Sequence, residues 1–201
     1  MPPEIRPIPV NQHKQCAQVL AEAFRGDPYL HKLMDFSENQ SDRYWQVLCS
    51  IFFLADDVVI LGAYEQERLI GAAIGFDDTF NPGLALNFLY NWRLLRRIGL
   101  HALWRKLQLQ RIINPQIAMT QPCLRVLNIG VLPAFHKRGI ASALLDAFAQ
   151  VAFARGIDRL QVESGAENPA SDLYKQYGFE VTRTFKLEGL SFHVMQKGLS
   201  E

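Results

Sequence analysis

Apolar residues recur with a helical period in the first quarter of the chain. One set follows the spacing of three and four residues that marks one side of a helix: Cys16, Val19, Leu20, Ala23 and Phe24. Asn11 is available as the cap of this predicted helix, and "GDP" at residues 26–28 ends it. The run "SDRYWQVLCSIFFLA" predicts a second helix, with Ser41 as its cap. We therefore expect two helices near the start of the chain.

Strand-like runs occupy much of the remaining sequence. In chain order they read "EIRPIPV", "VVILGAYE", "LIGAAIGFD", "LRVLNIGVL", "DRLQVES", "FEVTRTFKL" and "SFHVMQKG". Only "QER" separates the second run from the third, which predicts a hairpin, and the last two runs predict a closing antiparallel pair. The helical run "KRGIASALLDAFAQVAFARG" joins the fourth run to the fifth. We therefore predict that these two strands are parallel and connected by a right-handed crossover.

Residues 79–122 are helical in period although strands precede and follow them, so we interpret them as a helical insertion. The run "PASDLYKQYG" predicts a further short helix before the closing pair. With 201 residues the chain is long enough for one domain with a substantial core. These elements predict a single α/β domain, residues 1–201, with a mixed sheet.

Composition narrows the range of functions. The net charge of +1 does not indicate a nucleic-acid partner. The three cysteines have no CxxC spacing, which is typical of reduced thiols in a cytoplasmic protein. The longest apolar run, "VLCSIFFLA", is about half the length of a membrane-spanning helix, and the N-terminus lacks the pattern of a signal peptide. The missing signal-peptide pattern predicts a cytoplasmic location. The five histidines show no ligand spacing, so we expect no metal site.

The joint between the fourth strand and the long helix carries a small basic cluster. It reads His136-Lys137-Arg138-Gly139 and precedes the run "IASALL". A helix N-terminus presents unpaired N–H groups and the positive end of the helix dipole, and a glycine there lets an anion approach the backbone. Lys137 and Arg138 add positive charge. The joint is suited to a phosphate group, although a solvated surface turn fits the same residues.

Later residues give the joint a more specific interpretation. "HKRGIA", the long helix, "LQVES" and "ENPASDLYKQYGFE" together resemble the signature of the GNAT superfamily of acetyl-CoA-dependent N-acetyltransferases. The nearest likeness is to small-molecule acetyltransferases of the puromycin-acetyltransferase kind. Gly139 and Ala141 match the family's phosphate loop, whereas His136 stands where the family has Gln or Arg. The resemblance implies a mostly antiparallel sheet whose parallel pair splays apart, with flanking helices.

The resemblance also implies a binding site for acetyl-CoA and a set of catalytic groups. Backbone groups of the splayed strand would bind the pantetheine arm and the thioester carbonyl, the loop and helix N-terminus would bind the pyrophosphate, and an asparagine at the next helix cap would complete the site. The predicted cofactor-binding residues are Ile129, Gly130, Val131, His136, Lys137, Arg138, Gly139, Ile140, Ala141, Ser142 and Asn168.

Tyr174 matches the family tyrosine that protonates the departing thiolate, and Tyr177 is interpreted as a core residue. The attacking amine must lose a proton, so a general base is also needed. Glu163 is our first candidate for that base, with Asp77 and Asp78 behind it. Asn168 before Pro169 fits helix capping as well as cofactor binding. Tyr174 fits a core position as well as an acid.

The helical insertion carries an unbalanced charge. From Thr79 to Leu145 the chain has no Asp or Glu but nine basic residues, so the rest of the chain has a balance of −8. Three interpretations remain open: helices that cover the acceptor side with solvated basic faces, recognition of an anionic acceptor or of the CoA phosphates, and a surface for an anionic membrane or partner. We do not expect a membrane surface among the partners.

The sequence thus predicts a cytoplasmic enzyme, a monomer or homodimer without a metal, that transfers an acetyl group from acetyl-CoA to a primary amine of a small molecule. Direct attack in a ternary complex is expected, because no cysteine has a context suited to an acyl-enzyme. The alternative is a non-catalytic acyl-CoA-binding sensor or docking module that uses the basic insertion.

Overall fold

The computed structural model describes residues 3–119 and 121–199. The strands within these residues are β1 (Glu4–Pro7), β2 (Val58–Glu65), β3 (Arg68–Asp77), β4 (Leu124–Val131), β5 (Arg159–Gly165), β6 (Glu180–Leu187) and β7 (Leu190–Gly198). The helices are α1 (His13–Ala23), α2 (Pro28–Met34), α3 (Glu38–Phe52), α4 (Gly83–Ile98), α5 (Leu100–Ile117), α6 (Ile140–Ala154) and α7 (Pro169–Gln176). Short 3₁₀ turns lie at Val10–Gln12 and Pro133–Phe135.

The strands form one mixed sheet in the order β1-β2-β3-β4-β5-β7-β6. Each neighbouring pair is antiparallel except β4 and β5, which are parallel and joined through α6. The predicted hairpin is β2–β3, and the predicted closing pair is β6–β7. The α/β fold class, the mostly antiparallel sheet and the single parallel pair are therefore confirmed.

Helix starts differ from the sequence-based expectation in three places. Ser37, not Ser41, caps α3, because the Ser37 hydroxyl accepts from the Gln40 N–H while the Gln40 side chain bonds back to the Ser37 N–H. Ser41 is buried inside the helix. The predicted cap Asn11 lies within a 3₁₀ turn, and α1 begins at His13 without a side-chain cap. The long helix begins at Ile140 rather than in the basic cluster.

Two layers of helices sandwich the sheet. On one side, α6 buries apolar residues at helical spacing against the centre of the sheet: Ile140, Leu144, Leu145, Phe148 and Ala152. On the other side, α1 and α3 pack against β2 and β3 through Leu20, Trp45 and Ile74 among others. Different helices therefore cover the two sides of the sheet.

Gly75 of β3 allows α6 to approach the sheet closely. A Cβ atom at this position would lie 2.6 Å from Cε1 of Phe148 and 2.5 Å from the carbonyl oxygen of Arg125. Neither the aromatic ring in the core nor the neighbouring strand has room to move by the required amount. Glycine at this strand position is therefore a packing requirement.

The predicted insertion is a pair of helices, α4 and α5, which Gly99 separates at a positive φ of 89°. Lys106 of α5 contacts Asn91 of α4, and the two residues lie at similar distances along the chain from Gly99, so the helices run antiparallel. The pair packs against α3 through a separate apolar cluster: Phe36, Val47, Ile51, Leu94, Ile98, Ala102 and Leu103. No helix in the described part of the chain is long and apolar enough to cross a membrane.

Candidate active site

A gap opens between β4 and β5. The two strands pair only at Leu124 with Leu160 and at Arg125 with Gln161. Beyond these pairs β4 stays with β3 and β5 stays with β7. The register of β3 and β4 shifts between Ile74 and Gly75, so Leu127 is an extra residue in a bulge, and bulges bend the strand that contains them. The splay that the sequence resemblance implied is therefore present.

The predicted residues Ile129, Gly130 and Val131 lie on the unpaired stretch of β4. Ile129 and Val131 pack toward the core below α6, whereas Gly130 faces Leu20 and Ala23 of α1. One backbone edge of this stretch has no neighbouring strand, because β5 has moved away. That edge can offer hydrogen bonds to an extended ligand that enters the gap.

The loop after β4 leads directly to the N-terminus of α6. The ring of His136 lies with Nε2 at 2.9 Å from the carbonyl oxygen of Val131, so this nitrogen donates to the carbonyl. Lys137 has a φ of 60°, in the left-handed region, and Gly139 follows at 73°. The guanidinium of Arg138 stacks on the ring of Phe135 at 4.9 Å and lies 3.5 Å from the Glu65 carboxylate.

Gly139 is the cap residue of α6, and α6 has no side-chain cap. The N–H groups of the first turn, which includes Ile140, Ala141 and Ser142, therefore lack intrahelical partners and point out of the helix end. A Cβ at Gly139 would meet no atom within 4 Å, so the space in front of the helix end is open. The loop and the helix end form a positively polarised surface beside the β4–β5 gap.

Asn168 caps α7, as the sequence predicted. Its Oδ1 accepts from the N–H of Ala170 at 2.9 Å, and Pro169 occupies the first helical position. Its Nδ2 donates to Oδ2 of Asp27 at 3.2 Å, in the turn after α1. Asn168 thus connects α7 to the "GDP" turn, and its predicted contact with the cofactor stays a prediction.

Tyr174 lies in the core on the α6 side of the sheet. Its ring meets the Phe179 ring edge to face, with centroids 5.7 Å apart, and the residue is 8% exposed. Burial raises the pKa of its hydroxyl well above the usual value, and the negative charge of Glu163 adds to this effect. The phenol therefore keeps its proton throughout the physiological pH range.

Tyr177, interpreted from the sequence as a core residue, only partly fits that interpretation. Its ring packs against the α6-side core, but its hydroxyl donates to the Asp146 carboxylate of α6. The Lys197 ammonium lies 3.9 Å from the ring centroid. Burial and the hydrogen bond to Asp146 raise the pKa of Tyr177. Tyr177 therefore lies at the edge of the core, with its ring packed inside and its hydroxyl hydrogen-bonded to Asp146.

Glu163 points to the opposite side of the sheet from Tyr174. Side chains alternate along a strand, and Val162 belongs to the α6-side core, so Glu163 and Gln161 face the α1 and α3 side. Both Nε and Nη2 of Arg125 lie 2.9 Å from Oε2 of Glu163, and Gln161 Nε2 donates to Oε1 at 2.8 Å. These contacts hold the carboxylate at the side of the gap.

The other acidic candidates lie elsewhere. Asp77 is buried where β3 ends beside the closed end of the β4–β5 pair, and it bonds to Thr79 and to Arg155, the residue that follows α6. Burial alone would raise the pKa of Asp77, but the hydrogen bonds from Thr79 and Arg155 outweigh burial and lower it. These contacts give Asp77 a structural role. Asp78 is exposed beside it.

Asn128 is a residue that sequence reasoning did not select. It follows the bulge on β4, and its Oδ1 is buried without a hydrogen-bond partner among the described residues. Asn128 and Gly130 share one side of the strand, and Gly130 faces α1, so the amide points to the same side of the sheet as Glu163. The available signal was one amide in the otherwise apolar run after Arg125, "VLNIGVL".

The insertion reaches this same side of the sheet. Gln161 Nε2 donates to the Ile117 carbonyl at the end of α5, at 3.0 Å. Arg183 of β6 donates to the carbonyls of Pro115 and Gln116. The C-terminal end of α5 therefore lies next to the Glu163 side of the gap. Within the described residues, no group of three or more His, Cys, Asp or Glu residues is arranged to hold a metal.

A mixed sheet whose one parallel strand pair splays apart is the arrangement that the sequence resemblance implied, and comparison with known sequences gives the same family. The sequence profile of the acetyltransferase (GNAT) family matches residues 18–179, so the chain belongs to that family. A comparison with curated proteins gives no match.

Solved structures share the fold at low sequence identity. A protein described as histone acetyltransferase HPA2 and related acetyltransferase, from Corynebacterium glutamicum, is 19% identical with a TM-score of 0.69, and the alignment covers 100% of this chain and 98% of that one. The PaiA N-acetyltransferase of Thermoplasma acidophilum, solved in complex with coenzyme A, is 15% identical with a TM-score of 0.63 and coverages of 98% and 99%. The C-terminal condensation domain of Ebony, solved with beta-alanyl-dopamine, is 12% identical with a TM-score of 0.68 and coverages of 99% and 100%.

Proposed function

We propose that this protein transfers an acetyl group from acetyl-CoA to a primary amine of a small molecule, with both substrates bound together. The observation that carries the proposal is the gap between β4 and β5, which ends at the uncapped N-terminus of α6. Family membership and the coenzyme A in the PaiA N-acetyltransferase structure support the choice of cofactor. The three free, buried cysteines are consistent with the cytoplasmic location that we propose.

The residues beside the gap suit the parts of acetyl-CoA, which supplies an acyl group activated as a thioester. The N–H groups of the first turn of α6 would bind the pyrophosphate, with Lys137 and Arg138 as charged neighbours. The strand edge of Ile129–Val131 that β5 leaves open would bind the pantetheine arm through its groups other than the Val131 carbonyl. His136 already donates to the Val131 carbonyl, so in this proposal it shapes the loop.

The two sides of the sheet would have different catalytic tasks. Glu163 and Asn128 face the α1 and α3 side, so we place the amine there, with Oδ1 of Asn128 as acceptor for its N–H and Glu163 as the base. Tyr174 on the α6 side holds the proton for the leaving sulfur. Because burial makes the phenol a weaker acid, its proton must move as the carbon–sulfur bond breaks.

Gly139→Glu tests the cofactor site. A carboxylate at the α6 N-terminus would repel the pyrophosphate, so we expect CoA affinity, measured by calorimetry, to fall at least a hundredfold. Gly189→Glu is the matched control, because Gly189 also has a positive φ, of 80°, and open space around it, in the β6–β7 turn. Unchanged CoA affinity in Gly139→Glu would remove the loop and the α6 N-terminus from the proposed cofactor site.

Tyr174→Phe tests the acid. We expect kcat to fall by roughly 10²–10⁴, the usual contribution of a general acid, while CoA affinity stays the same. Tyr177→Phe, which loses only the bond to Asp146, is the control and should keep most of its turnover. If Tyr174→Phe turns over at the wild-type rate, another group supplies the proton.

A panel of amines, aminoglycosides, amino acids and polyamines, assayed by release of the CoA thiol, identifies the acceptor class.

Once an active amine is known, Asn128→Ala should raise KM for that amine with little change in CoA affinity. If CoA binds but acetyl-CoA gives no thiol release with any amine, the chain is the non-catalytic acyl-CoA-binding protein of the alternative interpretation. Equal KM for the amine in Asn128→Ala would exclude Asn128 from the acceptor site.

A further inference from the structure

The α4–α5 hairpin exposes large apolar side chains that belong to none of the buried apolar clusters of the described chain. We call this set the outer face of the hairpin. Its members and their exposed fractions are Leu84 92%, Phe88 71%, Trp92 47%, Leu100 72%, Trp104 56% and Leu107 39%. Single exposed apolar residues are ordinary on protein surfaces, but a concentration on two neighbouring helices marks an interaction site.

The outer face is ordered by helical spacing. Leu84, Phe88 and Trp92 are four residues apart and share one side of α4, and the rings of Phe88 and Trp92 stack with centroids 6.5 Å apart. On α5, Leu100, Trp104 and Leu107 share one side in the same way. Other sides of both helices already carry the residues that pack on α3. Each helix is therefore apolar on two sides, although the folded chain buries only one of them.

The charged residues of the hairpin itself are all positive. No Asp or Glu occurs from Thr79 to Leu145, and Arg96, Arg97 and Arg111 are exposed on the hairpin. None of the three forms an ion pair with a carboxylate within residues 3–119 and 121–199. Arg105, by contrast, pairs with Glu188 of the β6–β7 turn. A partner for the outer face must accept both apolar and positively charged groups.

We propose that the outer face of the α4–α5 hairpin docks on the surface of an anionic lipid bilayer. Leucine and aromatic side chains enter the boundary between head groups and acyl chains, and tryptophan prefers that boundary because its ring is apolar and its N–H is polar. Arg96, four residues after Trp92, and Arg111, four residues after Leu107, continue the two apolar rows and contact the lipid phosphates. Since the helices do not cross the bilayer, they lie along its surface.

The sequence alone did not favour a membrane surface, since the period of α4 and α5 fits two helices with solvated basic faces equally well. The exposure of Trp92 and Trp104 changes this conclusion, because a solvated face would carry polar residues there. A second copy of the chain is the competing partner. Two outer faces brought together by symmetry would collect arginines from both copies in one interface whose helices carry no carboxylate, which is unfavourable.

Vesicle binding by the full chain tests the proposal. We expect co-sedimentation with vesicles of phosphatidylcholine containing about one-third phosphatidylserine, at least tenfold stronger than with phosphatidylcholine alone. Binding should weaken at least tenfold between about 0.05 M and about 0.5 M NaCl, because salt screens exposed charges. The emission of Trp92 and Trp104 should shift to shorter wavelength on binding, while buried Trp45 contributes a constant signal.

Two variants separate charge from apolar contact. The double variant Arg96→Gln, Arg111→Gln should bind roughly 30-fold more weakly, the effect of two basic side chains at an anionic surface. The matched control Lys14→Gln, Lys186→Gln removes two exposed cations outside the hairpin and should bind as wild type. Phe88→Ser with Trp104→Ser should also abolish binding, and since both residues are exposed its unfolding midpoint should stay unchanged.

Two results of the vesicle experiment would overturn the proposal. One is absence of binding at low salt, and the other is equal binding to neutral and anionic vesicles. Light scattering after size exclusion tests whether a second copy of the chain is the partner instead. If the protein is a dimer that does not bind vesicles, and if Phe88→Ser with Trp104→Ser converts it to a monomer, the outer face is a contact between two copies.

Discussion

Burial of Lys106 on α5 gives the chain a pH-sensitive position outside the proposed active site. The residue is 3% exposed, and burial lowers its pKa to about 8 from the ordinary 10.5. Its Nζ lies 3.3 Å from Oδ1 of Asn91 and 4.3 Å from the centroid of the Tyr90 ring, and no carboxylate pairs with it among the described residues. The folded state therefore holds this charge at a cost.

The sign of the pH dependence follows from proton counts. Between pH 8 and 10.5 the unfolded chain keeps the proton of Lys106 and the folded chain has lost it, so stability rises with pH across this window. Below pH 8 both states are protonated and the full cost of burial is present. We expect Lys106→Met to be more stable than wild type by roughly 1–3 kcal/mol at pH 7, with a smaller advantage near pH 10.

Urea unfolding of both proteins at pH 7 and pH 10 measures this difference. Lys14→Met, at an exposed position of α1, is the control and should show no such pH dependence. An advantage of Lys106→Met that is the same at both pH values would show that lost polarity, rather than lost charge, causes it.

Individual side chains were predictable where a local rule fixes them. Asn168 before Pro169 predicted a helix cap, and the cap is present. Asn128 and Lys106 were not predictable in the same way. The spacing of apolar residues assigns each residue to a helix or strand, but it does not show whether a polar side chain finds a partner. For Asn128 this depends on the bulge in β4, and for Lys106 on the contact between α4 and α5.

At the scale of elements, the contact between α6 and the sheet depends on Gly75. An alanine there would place its Cβ 2.5 Å from the Arg125 carbonyl oxygen and 2.6 Å from the Phe148 ring. We expect Gly75→Ala to lower the free energy of unfolding by roughly 1–3 kcal/mol, the usual cost of overpacking a core. Gly198→Ala is the matched control, since Gly198 is also a strand glycine and has open space around it.

Chemical denaturation of the two glycine variants measures this difference in the free energy of unfolding. Equal midpoints would show that α6 can move away from β3 without loss of stability. Because Arg125 also holds Glu163, a forced shift of β4 should reduce acetyl transfer in Gly75→Ala as well. CoA release in the amine assay reports on that effect separately from stability.

Strands and their partners were the elements best predicted from sequence. The β2–β3 hairpin, the closing pair and the parallel β4–β5 pair all followed from alternation, short turns and a crossover helix. Helix starts were predicted less well. Ser41 has the right residue type for a cap, but only Ser37 has Gln40 three residues later to complete a capping box. No periodic pattern indicated α2, which has only seven residues.

At the scale of the whole molecule, the apolar cluster between α3 and the hairpin determines whether the insertion is an independent unit. Val47 and Ile51 of α3 share this cluster with Leu94 and Ile98 of α4. Gln40 Nε2 also donates to the Ile98 carbonyl at 2.9 Å, and Arg43 to the Arg97 carbonyl. Loss of the hairpin would expose one side of α3, so we expect the chain to unfold as one domain.

The three tryptophans can test this expectation, because Trp45 reports on the α1–α3 core and Trp92 and Trp104 report on the hairpin. In a Trp92→Phe, Trp104→Phe variant and in a Trp45→Phe variant, the fluorescence midpoint in urea should coincide with the far-UV circular dichroism midpoint of the same protein. Comparison within each variant removes the destabilisation caused by Trp45→Phe, whose ring stacks on Phe24 at 4.9 Å. A hairpin signal that changes at lower urea than the dichroism would make the insertion a separate folding unit. The outer face could then meet a membrane while the sheet stays folded.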